Sequence, residues 1–356
     1  MKKIVFTIIL FPFIGFSQIF NQTMFFDGLN REYIVYLPSN YDGVTNFPVL
    51  FNFHGGSGYA NDFMLMVEMN NIADTAGFIA VYPQAALDID GTPGSIPPTS
   101  WLHKAPTTHN DVNFVSALID TLKINYNIDS TRIYACGYSE GGIFSYELAC
   151  RLNNKIVAIV SVSGSMLTES FRTDYGFGSC SPSHPTAVML IPGTDDDSYH
   201  AMYSGFAPYY LSVNEITIYW SNYNNTDQNP IVTSLPNFNT SDGSSIERKE
   251  WINGTNCVSV VELKVDSGGH DWPGHSFLGN MDISASAEIW NFVSKFNIDG
   301  LIDCNSTSNY EINSKNDRRI ISVSDIFGRQ TSKDLNNHLL FYLFDDGSVE
   351  KRIILE

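Results

Sequence analysis

Dense apolar runs recur along the chain, and between them apolar residues return every three or four positions. The first run is Phe47-Pro48-Val49-Leu50-Phe51-Asn52-Phe53, followed by a helical pattern over 62–75 and a second run, Phe78-Ile79-Ala80-Val81-Tyr82-Pro83. Val112, Val115, Leu118, Ile119 and Leu122 mark one face of a helix over 111–126. A β-prone stretch from Arg132 then runs into a helix-forming segment over 143–152, and further apolar runs cover 156–162, 186–191 and 259–265 before a closing helix over 284–296. Strands apolar throughout, alternating with helices, predict an α/β fold: a mostly parallel central sheet with helices on both faces. Ahead of it, 23–26 and 31–37 flank Asp27-Gly28 as an antiparallel entry hairpin.

Two stretches carry little or no period. Residues 85–109 are rich in Gly, Pro, Thr and Ser and read as a long surface loop, a kind of segment that is often functional. Residues 206–242 are aromatic and Asn-rich, and read as a helix followed by an insertion over the site. Past Cys304 the composition shifts again. A polar linker over 304–316 leads to short strands at 320–323, 339–344 and 351–355, too few residues for a core of their own, so 317–356 is a small C-terminal β appendage. The main domain is 18–303.

The first seventeen residues have another character. Lys2-Lys3, an apolar run to Phe16 and Gly15-Phe16-Ser17 make the charged, apolar and small-residue order of a signal peptide over 1–17, too short to remain as a membrane span. A secreted, extracellular or cell-surface protein without a membrane span is expected. Net charge is -18, with 13 basic against 30 acidic residues before position 304 and 7 against 8 after it. An acidic main domain argues against nucleic acid as a partner. Five cysteines (136, 150, 180, 257, 304) suit one or two disulfides, with Cys136 the expected buried free thiol.

The candidate chemistry centres on Gly137-Tyr138-Ser139-Glu140-Gly141, a G-x-S-x-G with a strand before it and a helix after it. That context is the nucleophile elbow, in which a tight turn pushes a serine oxygen out at the top of a sheet. Such a serine needs a base, and the base an orienting acid, in the chain order Ser, acid, His. His270 follows two glycines at the end of the last apolar run and is the preferred base; His275 is its rival. The acid lies in Asp195-Asp196-Asp197, with Asp196 preferred, Asp195 in reserve, and the remaining carboxylates expected to face water. The oxyanion of a tetrahedral intermediate would be held by the backbone N–H groups of Glu140 and Gly56. Trp101 and Trp272 are candidates for the substrate pocket, and His54 reads as a buried histidine bonded to backbone. His103, His109, His184, His200 and His338 have no comparable setting. Metal, phosphate and dinucleotide motifs are absent from the sequence, so no cofactor is expected.

With these residues in place, the chain resembles secreted esterases of the polyhydroxybutyrate depolymerase and feruloyl esterase group, carbohydrate esterase family one. The similar motifs are His54-Gly55-Gly56, Asp111-Val112-x-Phe114, Thr131-Arg132-Ile133-Tyr134 running into Gly137 to Gly142, Pro192-Gly193-Thr194-Asp195-Asp196, and Gly268 to Gly274, across about residues 30 to 298. The resemblance implies an α/β-hydrolase fold, the triad Ser139, Asp196 and His270, and a polymer-linked ester as substrate, with acetylxylan an alternative. A non-catalytic binding module is the reading from another class. Pro192 stands where relatives often have His, and the cysteine common near Trp220 is replaced, leaving the partner of Cys257 open. The tail, with Asp325-Ile326-Phe327-Gly328-Arg329 and Asp346 to Ile354, resembles the sorting segment of proteins exported by the type IX secretion machinery of Bacteroidetes-like bacteria, without a clear Asn-Pro at its start.

Overall fold

A computed structural model describes residues 18–87, 99–101, 110–174, 176–275, 279–304, 320–324, 331, 339–344 and 349–353. The proposed signal peptide, most of the 85–109 loop and the polar linker past Cys304 lie outside the described residues. The chain divides into two units, Met1–Cys304 and Asn305–Glu356.

In the first unit β1 (Gln18–Phe26) and β2 (Leu29–Leu37) form the entry hairpin. Asp27 and Gly28 both take positive φ, 50° and 80°, which is the turn that matches the twist of paired strands. β3 (Phe47–Phe53), β4 (Ile79–Pro83), β5 (Ile128–Tyr138), β6 (Ala158–Val162), β7 (Ala187–Ile191) and β10 (Val260–Asp266) are the six parallel strands, in the order β4-β3-β5-β6-β7-β10. β2 adds antiparallel to β4 on one side. On the other side β9 (Ser245–Trp251) and β8 (Ile231–Ser234) complete a ten-stranded sheet with two antiparallel pairings.

Because strand side chains alternate, the sheet has two apolar faces. Val49, Phe51, Phe53, Ile133 and Ala135 pack with α3 (Asp111–Asn125), α4 (Glu140–Arg151) and α6 (Val213–Asn224). Leu50, Ala80, Tyr134, Cys136 and Val160 pack with α1 (Ala60–Val67), α2 (Met69–Ala76) and α7 (Ala285–Val293) on the opposite face. A shorter helix, α5 (Glu169–Asp174), contributes Phe171 to a small satellite cluster with Ile143, Leu167 and Tyr210. A two-stranded ladder of β11 (Phe296–Asn297) and β12 (Gly300–Leu301) follows α7. Two details correct the sequence expectation. The pattern over 62–75 is two helices, broken where Glu68 takes the left-handed conformation at φ 49°. Within 206–242, expected to end in an insertion, residues 231–234 instead form β8, which with β9 extends the sheet edge.

Cys150 pairs with Cys180, fastening α4 to the segment after α5, and Cys257 pairs with Cys304; Cys136 is free and buried. In the second unit β13 (Ile320–Ser324), β14 (Leu339–Phe344) and β15 (Val349–Ile353) form an antiparallel sheet in which Val323, Leu340 and Tyr342 cluster. Among the described residues no helix is long and apolar enough to cross a membrane.

One ion pair ties β2 to α3. Arg31 Nη2 lies 2.6 Å from Asp111 Oδ1, and the side chains are 3% and 1% exposed. The guanidinium also sits 4.0 Å from the centre of the Phe114 ring. Removing one partner strands the other charge out of water, a cost of about 3–5 kcal/mol. Asp111→Ala should therefore lower the unfolding free energy in urea by about that much; a loss under about 1 kcal/mol would mean that Arg31 finds water or another partner.

Candidate active site

The elbow is set by three backbone contacts. A Cβ on Gly137 would meet the Gly141 carbonyl carbon and oxygen at 2.2 Å, and one on Gly141 would meet the Phe53 carbonyl oxygen at 2.1 Å. Only glycine fits where β5 turns into α4 beside the end of β3. Between them Ser139 takes φ 55° and ψ -120°, a conformation costly for a residue with a Cβ. Its N–H donates to the Val162 carbonyl at 2.9 Å, and the residue is 7% exposed.

Two loops at the ends of neighbouring parallel strands bring polar groups to this serine. After β7, Thr194 N–H donates to Val265 O at 3.0 Å and Asp195 N–H to Gly268 O at 2.9 Å. After β10, Ser267 N–H donates to Thr194 Oγ1 at 2.7 Å. Laced together, the loops place His270 Nδ1 2.7 Å from Asp196 Oδ2 and His270 Nε2 3.0 Å from Ser139 Oγ. Asp196 is buried and its Oδ1 accepts the Ser198 N–H at 2.9 Å, whereas Asp195 and Asp197 are exposed. Tyr138 OH donates to the His270 carbonyl at 2.7 Å. Burial, reinforced by the Asp271 and Asp196 carboxylates, pushes the Tyr138 hydroxyl well above its ordinary range, so it remains a donor. His275 is not among the groups meeting Ser139.

The loop after β3 closes the other side. A Cβ on Gly55 would stand 3.2 Å from Ser139 Cβ, so this backbone runs against the serine. A Cβ on Gly56 would stand 2.5 Å from Glu140 Cδ, because the buried Glu140 carboxyl group, which accepts from Ser100 Oγ at 3.3 Å, is packed against that glycine. His54 is 1% exposed. Its Nε2 accepts from Ala85 N–H at 3.1 Å, so Nδ1 carries the proton and donates to Gly55 O at 2.7 Å. Ser57 N–H donates to Thr99 O at 2.8 Å and Trp101 Nε1 to His54 O at 2.8 Å, which pins this loop.

Both tryptophans named as pocket candidates are buried. Trp101 is 1% exposed, stacked on Phe144 at 5.0 Å and edge-on to Phe53, and Trp272 is 4% exposed, with Nε1 donating to Ser286 Oγ at 3.1 Å and its ring against Phe63. Trp101 belongs to one apolar cluster of the sheet and Trp272 to the other. Sequence reasoning also missed His200, whose Nε2 lies 2.9 Å from Ser139 Oγ. Its ring stands edge-on to Tyr199 at 4.9 Å and to His270 at 5.4 Å. The available signal was position: His200 follows Asp196 by four residues in one loop. Tyr199, Phe206 and Tyr209 continue outward as an exposed aromatic wall, with Phe206 and Tyr209 stacked at 6.0 Å. Among the described residues no cluster of three or more His, Cys, Asp or Glu is placed to hold a metal.

Comparison with known proteins is consistent with this geometry. Residues 31–204, just under half of the chain, match the family Esterase PHB depolymerase. A bifunctional acetylxylan esterase/xylanase of Neocallimastix patriciarum is 27% identical over 279 residues, 77% of this chain and 34% of that protein. Feruloyl esterase B of Piromyces equi is 26% identical over 75% of this chain and 46% of its own length. The chain thus spans a third to a half of these relatives. The solved acetyl xylan esterase from Aspergillus awamori superposes with a TM-score of 0.52 at 14% identity, covering 78% of this chain and 99% of that one, which shows the α/β-hydrolase fold.

The buried His54 supplies a pH signature. Burial lowers its pKa from 6.5 to about 4, so it is neutral when folded, while an unfolded chain takes up a proton below 6.5. Its contribution to stability is complete above pH 6.5 and is lost as pH falls towards 4, amounting to at most about 3 kcal/mol. His54→Asn should be less stable at pH 7 and show a shallower decline in unfolding free energy between pH 6.5 and 4; an unchanged decline in that variant would assign the proton uptake elsewhere.

Proposed function

We propose that this chain is an extracellular serine carboxylic-ester hydrolase acting on polymer-linked esters. The observation that carries the reading is the continuous hydrogen-bonded chain from Ser139 Oγ through His270 to the buried Asp196. Ser139 Oγ attacks the ester carbonyl while His270 Nε2 takes its proton, and the carbonyl π pair moves onto oxygen. The resulting oxyanion is held by the backbone N–H groups of Gly56 and Glu140, the latter at the positive end of α4. Collapse expels the alcohol, which takes the proton from His270. Water repeats the cycle on the acyl-enzyme and releases the acid. Asp196 fixes the His270 tautomer and offsets the charge of the imidazolium.

The enzyme is feruloyl-esterase-like or polyhydroxybutyrate-depolymerase-like. Exposed rings at Tyr199, Phe206 and Tyr209, which continue from His200 at the serine, suit a bulky acyl or polymer chain. Acetylxylan is the alternative, favoured by the names of the Neocallimastix relative and the Aspergillus structural neighbour. Residues 1–17 direct export, and 317–356 are an address read by type IX secretion machinery; this reading rests on the sequence motifs alone.

Hydrolysis of methyl ferulate, acetylxylan and hydroxybutyrate oligomers, measured side by side, assigns the substrate. Ser139→Ala should reduce kcat on the preferred ester by about 10⁴-fold or more. Asp196→Asn should cost about 10³-fold or more, and the exposed Asp195→Asn almost nothing. Retained activity in Ser139→Ala would give the reaction to another nucleophile, and failure of the native protein on all ester classes would favour a binding module.

A further inference from the structure

Ser139 Oγ faces two imidazole nitrogens, His270 Nε2 at 3.0 Å and His200 Nε2 at 2.9 Å. A hydroxyl has one proton, so it donates to one of them and accepts from the other. Asp196 decides which. Its carboxylate holds the His270 proton on Nδ1, leaving His270 Nε2 as an acceptor for the serine O–H. His200 Nε2 must then carry a proton and donate to the serine oxygen. Its ring is held in place by Tyr199 and Tyr210, and its carbonyl by the Ser165 N–H at 2.9 Å.

We propose that His200 is a second catalytic histidine whose Nε2–H selectively speeds release of the acyl group from Ser139. The inference rests on the esterase reading above. It follows from how well Oγ accepts a hydrogen bond at each stage. In the resting enzyme Oγ is a hydroxyl oxygen polarised by His270, a good acceptor. In the transition states for forming or breaking the acyl–Oγ bond it has alkoxide character and is also a good acceptor. In the acyl-enzyme Oγ is the alkoxy oxygen of an ester, with its lone pair delocalised into the carbonyl, and it accepts poorly.

Measured from free enzyme to the acylation transition state, the His200 bond is present at both ends and contributes little. Measured from acyl-enzyme to the deacylation transition state, it is regained. Water adds to the acyl carbonyl and gives its proton to His270; the acyl–Oγ bond then breaks with its electron pair going to Oγ, and His270 returns the proton there. His200 donates throughout this departure and transfers no proton itself. Only an interaction stronger in the transition state than in the state preceding it accelerates a step.

The test uses p-nitrophenyl acetate, with stopped-flow and steady-state kinetics on the full chain. His200→Phe keeps a ring against Tyr199 and Tyr210 but removes the donor; His200→Gln offers an N–H in its place. In His200→Phe the deacylation rate constant should fall roughly ten- to hundredfold, the range expected for losing one hydrogen bond to a developing charge. The acylation rate constant and kcat/KM should stay near the native values, so kcat and KM fall together and a p-nitrophenolate burst appears. His200→Gln should recover most of the deacylation rate. A parallel fall of kcat/KM with kcat, or a native deacylation rate in His200→Phe, or a His200→Gln no better than His200→Phe, would overturn the proposal. Absence of any hydrolysis by the native protein would instead overturn the esterase reading beneath it.

Discussion

The structure turns on a backbone crossing. β5 can pass into α4 beside the end of β3 only if positions 137 and 141 lack a Cβ, since either one would stand about 2 Å from a carbonyl group. That crossing forces Ser139 into positive φ and holds its oxygen at the N-terminus of α4. The strain is local and the restraint is global: the sheet on one side and the apolar helix faces on the other keep β5 and α4 in place.

Once the serine is fixed, parallel topology does the rest. All six central strands end on the same side, so the loops after β3, β5, β7 and β10 converge there. The loops after β7 and β10 are bonded to each other through backbone groups before any catalytic side chain is counted, which sets the spacing between Asp196 and His270. The loop after β3 is pinned by Thr99 and by the buried Trp101, which holds the backbone beside the serine in place. Polar groups inside this scaffold are placed by burial. Asp196 is enclosed and bonded while Asp195 and Asp197, its neighbours in sequence, face water.

The sequence made the central strands legible because a strand covered on both faces is apolar throughout, as in the run from Phe47 to Phe53. The serine and its proposed partners were legible because each follows such a run. The break at Glu68 was not, since no glycine or proline announces it and the apolar spacing continues across it. β9, with Ile246 the only fully buried side chain among charged neighbours, lacks the signature that a doubly covered strand carries. Trp272 lies two residues past His270 and shares Tyr138 as a ring neighbour with it, while its own indole packs on Phe63 and donates to Ser286 Oγ. His200 escaped because a histidine in a polar loop has no periodicity to mark it, and only the fold of that loop turns it back onto Ser139.

The central claim is that Ser139 is an activated nucleophile. Treating the folded protein with a fluorophosphonate and mapping the adduct by mass spectrometry tests it most directly. The account predicts a single phosphonylated residue, Ser139, with labelling abolished by His270→Ala. A folded protein that takes up no label, or a label on another residue, would contradict it.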